Sequence, residues 1–368
     1  MNIAISCDSI MARDYTTSVV ESVLSLYERA EIYTIVHKAG KVLGPIEQRR
    51  IQSTYLSTLI NDEFPSGEEW WKKSYLIPGA CRNLTVPCNV DVLVNITSGF
   101  SQGFERCEGV YQVSYLLENT FNTRKKKSLR EKLFSGFVEH WAIKQLKKAD
   151  ELWVTNSAEL EFWKNHHDNV SIMAPFFKAS DYPIFPAAIR KTFPGDFFCF
   201  DAATFNEEQA TRMIEKCKSL QLKFKFVGRD EHLPSSLKDK EQENFFGERC
   251  SGELAPLLAA SRGFISLQES GFPSRVLSAL STGTPVSFQT NSEISAYFED
   301  KEGIFRFDSF SDLLDKLPSF YSSMLGIDPV GLHNQTNKYH DLKFRGEFTR
   351  RMKDLTSKAL DKGTSANC

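Results

Sequence analysis

The chain has 368 residues, 41% of them hydrophobic and 12% aromatic, with a formal net charge of −2. That length fits two domains of ordinary size with packed cores, and the near-neutral charge argues against a dedicated nucleic-acid binder. No apolar run reaches the length of a membrane-spanning helix. The eight cysteines (Cys7, Cys81, Cys88, Cys107, Cys199, Cys217, Cys250 and Cys368) form no C-x-x-C pair, so reduced thiols in a cytoplasmic protein are expected, not a disulfide or zinc framework. The 29 phenylalanines read first as core filling.

The N-terminus, MNIAISCDS, enters a strand at once, without a basic or long apolar leader, so no secretion signal is expected. Ile3–Ser6 reads as a strand, Cys7–Tyr15 as a loop, and Thr16–Arg29 as a helix with Val19, Val20, Val23 and Leu24 on one face. A strand at Glu31–Val36 completes a βαβ unit, which predicts a parallel α/β domain. Ile51–Ile60 reads as helical and Pro78–Cys88 as irregular. Val90–Ile96 and Gly109–Leu117 are buried strands, the first followed by a Ser- and Gly-rich segment at Thr97–Gly103. A basic run at Arg124–Lys127, with Arg130 and Lys132, leads into a long helix near Ser128–Lys148 that carries Phe134, Phe137 and Trp141. The stretch 124–132 has two readings, a solvated loop before a packed helix, or a peripheral contact with an anionic membrane face. Glu151–Thr155 and Val170–Met173 are further strands, separated by a helix that Asn156 and Ser157 would cap. Pro175, Pro183, Pro186 and Pro194 mark residues 175–194 as a linker.

The second half alternates again: strand Asp196–Phe200, helix Asn206–Leu220, strand Lys223–Val227, helix Gly252–Ala260 and strand Gly263–Leu267. The most informative stretch is Leu267–Phe288, LQESGFPSRVLSALSTGTPVSF. Glu269–Pro273 is turn chemistry. Ser274 can cap a short helix whose Val276, Leu277 and Leu280 share a face. Gly283 fits its end, Pro285 stops it, and Val286–Phe288 starts another strand. An acidic loop therefore lies at the carboxyl end of a parallel strand and at a helix N-terminus, where ligands of open α/β sheets bind. Ile304–Phe307 and a helix at Ser311–Leu317 follow, and Lys362–Cys368 reads as a frayed tail.

Glu269, Gly271, Phe272, Ala279, Gly283, Pro285 and Val286 match the signature E-G/D-F-G-x-x-x-x-E-A-x-A-x-G-x-P-V of the family 4 retaining glycosyltransferases, and the stretch resembles that family. Ile32–His37 (IYTIVH) and Asp150–Ser157 (DELWVTNS) are similar to family segments too, so the resemblance runs over nearly the whole chain. It implies an α/β, GT-B fold, with two Rossmann-like parallel-sheet domains facing across a cleft. The boundaries would be 1–174 for an acceptor-side domain, 175–194 for a linker, 195–338 for a nucleotide-sugar-side domain, and 339–368 for a helix returning toward the first domain plus a tail. It further implies transfer of a mannose-like hexose, with retention and without a metal or cofactor, from a UDP-, GDP- or ADP-linked sugar to a glycan or lipid-linked acceptor. Donor-binding candidates are Glu269, Ser270, Gly271, Phe272 and Ser278, with Arg229 and Arg275, at positions that are not the family's, as nearby cations for the diphosphate; acceptor-side candidates are Asp8 and Glu118. No catalytic residue is named, because in retaining relatives the leaving diphosphate assists the attacking hydroxyl.

Four features depart from the family. Asp14-Tyr15-Thr16-Thr17 stands where relatives carry a Gly-Gly pair, and Leu117–Phe121 lacks their histidine. Phe200–Gln209 (FDAATFNEEQ) lacks the basic pair that would face the leaving diphosphate and holds Asp201, Glu207 and Glu208 instead. Ser278 replaces the second signature glutamate. Losses of this kind leave a second class of function open: a catalytically silent relative that binds a glycan or partners an active glycosyltransferase. A fold-level resemblance does not choose between them.

Overall fold

A computed structural model describes the chain except residues 13, 43, 61–63, 65–69, 118–128, 186–195, 231–232 and 367–368, and except the side chains of 70–72, 129–135, 357 and 359–366. The chain divides into two units, residues 1–175 with 342–368, and residues 176–341.

The first unit carries strands β1 (Ile3–Ile10), β2 (Glu31–His37), β3 (Ile51–Ser53), β4 (Thr85–Val86), β5 (Val92–Thr97), β6 (Glu105–Arg106), β7 (Tyr111–Leu116), β8 (Glu151–Val154) and β9 (Val170–Ile172). A seven-stranded parallel sheet runs in the order β3-β2-β1-β5-β7-β8-β9. Strands β1, β5 and β7 are buried at every position, as a sheet covered on both faces requires. Most of their residues are apolar, and the buried polar side chains of Ser6, Asn95, Ser114 and Gln112 are hydrogen-bonded to one another. The order reverses between β1 and β5, the point where such sheets open a crevice at their carboxyl edge. The helix Tyr15–Leu24 starts from a reciprocal cap between Asp14 and Thr17. The helix Asp341–Ala366 closes the unit from Leu342 onward. Its Phe348 packs on Trp153 at 5.8 Å, and Arg351 donates to the Ser171 hydroxyl at 2.7 Å.

Four expectations change here. Ile51–Ile60 is not one helix: Ile51–Ser53 pairs with Ile32–Thr34 of β2, and only Leu56–Leu59 is helical. Edge pairing outweighs the local pattern, which held no information about the partner strand. Residues 78–88 are not irregular throughout, because Ile77–Arg82 is helical with Pro78 in its first turn, where a missing N–H costs nothing. Helix also continues through residues 362–366, where a frayed tail was expected. The fourth change concerns the thiols. The short parallel pairing of β4 with β6 brings Cys88 and Cys107 to a Cα separation of 5.0 Å, and they form a disulfide. Cys7, Cys81, Cys199 and Cys217 are free and buried, and Cys250 is free and exposed.

The second unit carries β10 (Phe197–Asp201), β11 (Lys223–Val227), β12 (Gly263–Ile265), β13 (Val286–Gln289) and β14 (Ile304–Phe307). They form a five-stranded parallel sheet in the order β11-β10-β12-β13-β14. One face is a phenylalanine core, with Phe198, Phe200, Phe205, Phe226 and Phe307 buried. The other buries Phe264, Val276, Leu277, Leu280 and Phe288. The described part of the proline-rich stretch joins this second core: Phe177 and Ala179 are buried there, and the Phe177 N–H donates to the Tyr339 carbonyl at 3.0 Å.

Candidate functional site

The order of the second sheet reverses between β10 and β12, so the chain leaving each strand turns to opposite sides and a crevice opens at the carboxyl edge. A cavity of about 580 Å³ lies there, lined by segments after both strands, 203–206 and 267–270, together with Gln209, Gln289, Phe307 and Phe310. Thr204 ties the two segments together. Its hydroxyl donates to the Asp201 carbonyl at 2.8 Å and accepts the Leu267 N–H at 3.0 Å. Asn206 and Gln209 cap the helix Glu207–Ser219 reciprocally, at 2.9 and 3.0 Å. Phe205 forms part of the wall, yet it is rooted in the core, 5.7 Å from the Phe200 ring and 5.5 Å from Phe226.

The signature loop forms the opposite wall. The Gln268 side chain donates to the Ser270 carbonyl at 2.7 Å, and Gly271 turns the chain at φ +82°, a conformation that favours glycine. The Glu269 carbonyl accepts from the Glu293 N–H at 2.7 Å, which leaves the exposed carboxylate at the cavity. Phe272 packs away from it, against Tyr297 and Tyr339 at 5.7 and 5.9 Å. The helix Ser274–Ser281 follows. Ser274 is its first residue and makes no side-chain cap, in contrast to the sequence expectation, because the preceding position is Pro273. Ser278 is buried, and its hydroxyl donates to the Ser274 carbonyl at 2.9 Å. Gly283 ends this segment at φ +77°, where the sequence placed the stop.

Charge collects beside the cavity. Asp201, at the end of β10, is 2% exposed. Its Oδ1 lies 3.6 Å from Arg275 Nε, and the Ser266 hydroxyl reaches its Oδ2 at 3.4 Å. The outer face of the same guanidinium meets Glu248, Nη2 to Oε2, at 2.7 Å. Burial pushes the Asp201 carboxyl up to about 6, against the pull of Arg275 and Ser266. Burial also opposes the charge of Arg275, but Asp201 and Glu248 together hold its pKa above the ordinary value. Gly228, at φ +100°, makes room for this cation, since a Cβ there would come within 2.2 Å of Arg275 Nη1 by ideal geometry. Arg229 follows at the carboxyl end of β11 and is partly buried. Arg275 therefore points at two carboxylates rather than past Glu269.

In the first unit the carboxyl end of β1 is tied to the loop after β5 by Asp8. Its carboxylate, 3% exposed, accepts the N–H groups of Ser98 (2.6 Å), Ser101 (2.6 Å) and Phe100 (3.2 Å) and the Thr97 hydroxyl (3.0 Å). Burial raises its pKa, and those donors hold it down. Asp8 is thus occupied by the loop after β5. Glu118 lies outside the described residues, and so does the basic run up to residue 128 with the side chains of Arg130 and Lys132. The Asp14 and Thr17 side chains are engaged in the helix cap, at 2.8 and 2.9 Å. Among the described residues, no group of three or more His, Cys, Asp or Glu is placed to hold a metal ion, and no helix is long and apolar enough to cross a membrane.

The sequence pointed to Glu269 and its loop but missed Thr204, Gln268 and Glu248. Thr204 and Gln268 lie just past strand ends, which is a usable signal. Glu248 carries none, because its partner is 27 residues away.

No family model and no curated protein sequence matches the chain. Solved structures do. Sucrose-phosphate synthase from Thermosynechococcus elongatus superposes with a TM-score of 0.68 at 10% identity, over 97% of this chain and 100% of that one. Anabaena HepE in complex with UDP gives 0.64 at 13% identity, over 96% and 100%. WaaG, a glycosyltransferase involved in lipopolysaccharide biosynthesis, gives 0.64 at 14% identity, over 94% and 98%. These neighbours are GT-B glycosyltransferases, and the likeness establishes that fold for this chain, with parallel sheets of seven and five strands.

Proposed function

We propose that this protein is a glycosyltransferase that uses a nucleotide sugar and transfers a hexose, mannose-like, with retention and without a metal, to a glycan or glycolipid acceptor. The observation that carries the reading is the crevice at the strand-order reversal of the second sheet, in a chain that shares its fold with glycosyltransferases over nearly its whole length. HepE, one of them, is known with UDP and with UDP-glucose. In this reading the nucleoside occupies the cavity between Thr204–Asn206 and Gln268–Ser270, with Phe205 and Phe310 as apolar walls. Glu269 accepts hydrogen bonds from sugar hydroxyls. The leaving diphosphate develops negative charge, which a cation must meet; Arg275 and Arg229 are the candidates.

A second reading, a silent relative that binds a glycan or partners an active enzyme, is favoured by Arg275 lying between Asp201 and Glu248 and by the inward hydroxyl of Ser278. Calorimetric titration with UDP, GDP and ADP, alone and with sugar, tests the choice. Saturable binding weakened by Glu269→Ala supports the transferase. No binding of any nucleotide at millimolar concentration by the folded protein rejects it.

A further inference from the structure

We propose that Glu248 is a built-in competitor for the anion site of Arg275: its carboxylate takes the place that the diphosphate of a nucleotide ligand would occupy, and it must leave before that ligand binds tightly. The inference rests on the reading of the second unit as a nucleotide-sugar site.

The two carboxylates on Arg275 are not equivalent. Asp201 is buried, sits at the end of β10 and faces Nε. It is part of the sheet edge and has nowhere to go. Removing the cation from it would leave a buried carboxylate uncompensated, which is strongly unfavourable. Glu248 faces Nη2, the outward side, and its side chain is 52% exposed. It stands on the short segment between the β-bridge at Phe245 and the helix Ser251–Ala260, next to Gly247, which has φ +62°. A half-exposed pair of this kind is weak, because water solvates the freed carboxylate. The guanidinium is thus anchored on one side and replaceably paired on the other. An anion that presents two oxygens can take the outer side, since a guanidinium matches a phosphate with two parallel N–H donors. Gly228 lets the guanidinium pack against the backbone beside Nη1 and Cζ. Two negative groups at one guanidinium repel each other, so the ligand binds only as Glu248 swings out.

The same arrangement accounts for the absence of the basic pair after β10. One cation, paired on its inner side with Asp201, serves the anion, and Glu248 lowers its affinity. Glu248 therefore sets the dissociation constant for the phosphate part of the ligand without touching its base or sugar. This predicts an unusual direction of effect, in which removing a side chain improves binding.

The test is calorimetric titration of the full chain with inorganic pyrophosphate and, separately, with UDP. Wild type is compared with Glu248→Gln and with Glu248→Gln placed in an Asp201→Asn/Arg275→Gln background. That background removes both inner charges together, so no buried charge is left unpaired, and circular dichroism checks that each protein is folded. Glu248→Gln is expected to bind pyrophosphate up to about fivefold more tightly than wild type, and the gain is expected to vanish in the background lacking Arg275. Equal pyrophosphate affinity in wild type and Glu248→Gln overturns the competitor role. If UDP then still binds wild type, the nucleotide-sugar reading survives on its own. A pyrophosphate gain without UDP binding to any variant supports Glu248 as competitor and rejects the nucleotide-sugar reading instead. A gain that persists without Arg275 also overturns the proposal, since it would place the anion elsewhere.

Discussion

Asp201→Asn is expected to stabilise the second unit, and to do so increasingly as pH rises from 4.5 to 7.5. The Asp201 carboxyl is pushed from 3.8 to about 6 in the fold, chiefly by burial. A carboxyl with a raised pKa binds its proton more tightly folded than unfolded, so its favourable contribution is fully present below about 3.8 and is lost as pH rises through about 6. Two pH units correspond to about 3 kcal/mol at 1.36 kcal/mol each. Asparagine keeps the shape of the protonated acid and never ionises. Its advantage over wild type therefore grows from about 1 kcal/mol at pH 4.5 to about 3 kcal/mol at pH 7.5. Arg275 retains Glu248 in the variant, so the cation is not orphaned. Urea denaturation at pH 4.5, 5.5, 6.5 and 7.5 measures the difference. Far-ultraviolet circular dichroism is the probe, because Trp70, Trp71, Trp141, Trp153 and Trp163, all five tryptophans, belong to the first unit. A difference that stays flat across that range, or a loss of stability at pH 7.5, would refute the argument that the charge of Asp201 is costly where it sits.

Gly228→Ala is expected to cost about 1–2 kcal/mol of stability, since an L-residue at φ +100° is strained and its Cβ meets the Arg275 guanidinium; the same variant should weaken pyrophosphate binding in the calorimeter. Asp8→Ala leaves three backbone N–H groups and one hydroxyl without their acceptor, with an expected loss of about 3 kcal/mol in the first unit, read by tryptophan fluorescence in urea; a loss below about 1 kcal/mol would mean that water replaces the carboxylate. The Cys88–Cys107 bridge closes a loop over a separation of 19 residues, so the double serine variant should lower stability of the first unit by about 3 kcal/mol. Thiol titration of the unfolded chain should gain two thiols from this bridge on reduction; all eight cysteines titrating before reduction would refute the bridge.

Much of this architecture is written locally. The alternation of mainly apolar runs with amphipathic helices fixes two parallel sheets, because strands buried on both faces, as β1, β5 and β7 are, carry mostly apolar residues. The signature stretch carries its own punctuation: Gly271 and Gly283 occupy the two positive-φ positions that bracket the helix Ser274–Ser281, and the cavity opens beside Glu269 at the end of the strand before it. What the sequence could not hold is the choice of partner. Asp8 looks like a free loop acid until the Ser101 N–H, 93 residues on, is brought to 2.6 Å from it. Arg275 looks like a cation available to a diphosphate until the sheet edge delivers Asp201 to its inner side and a surface loop delivers Glu248 to its outer one. Ile51–Ser53 takes its strand from the hydrogen bonds of β2, and Cys88 its bridge from the pairing of β4 with β6. Each of these depends on groups far apart in the chain whose approach costs nothing locally and leaves no local pattern, so periodicity could place the elements, while only the packed sheets decided which charges and thiols meet.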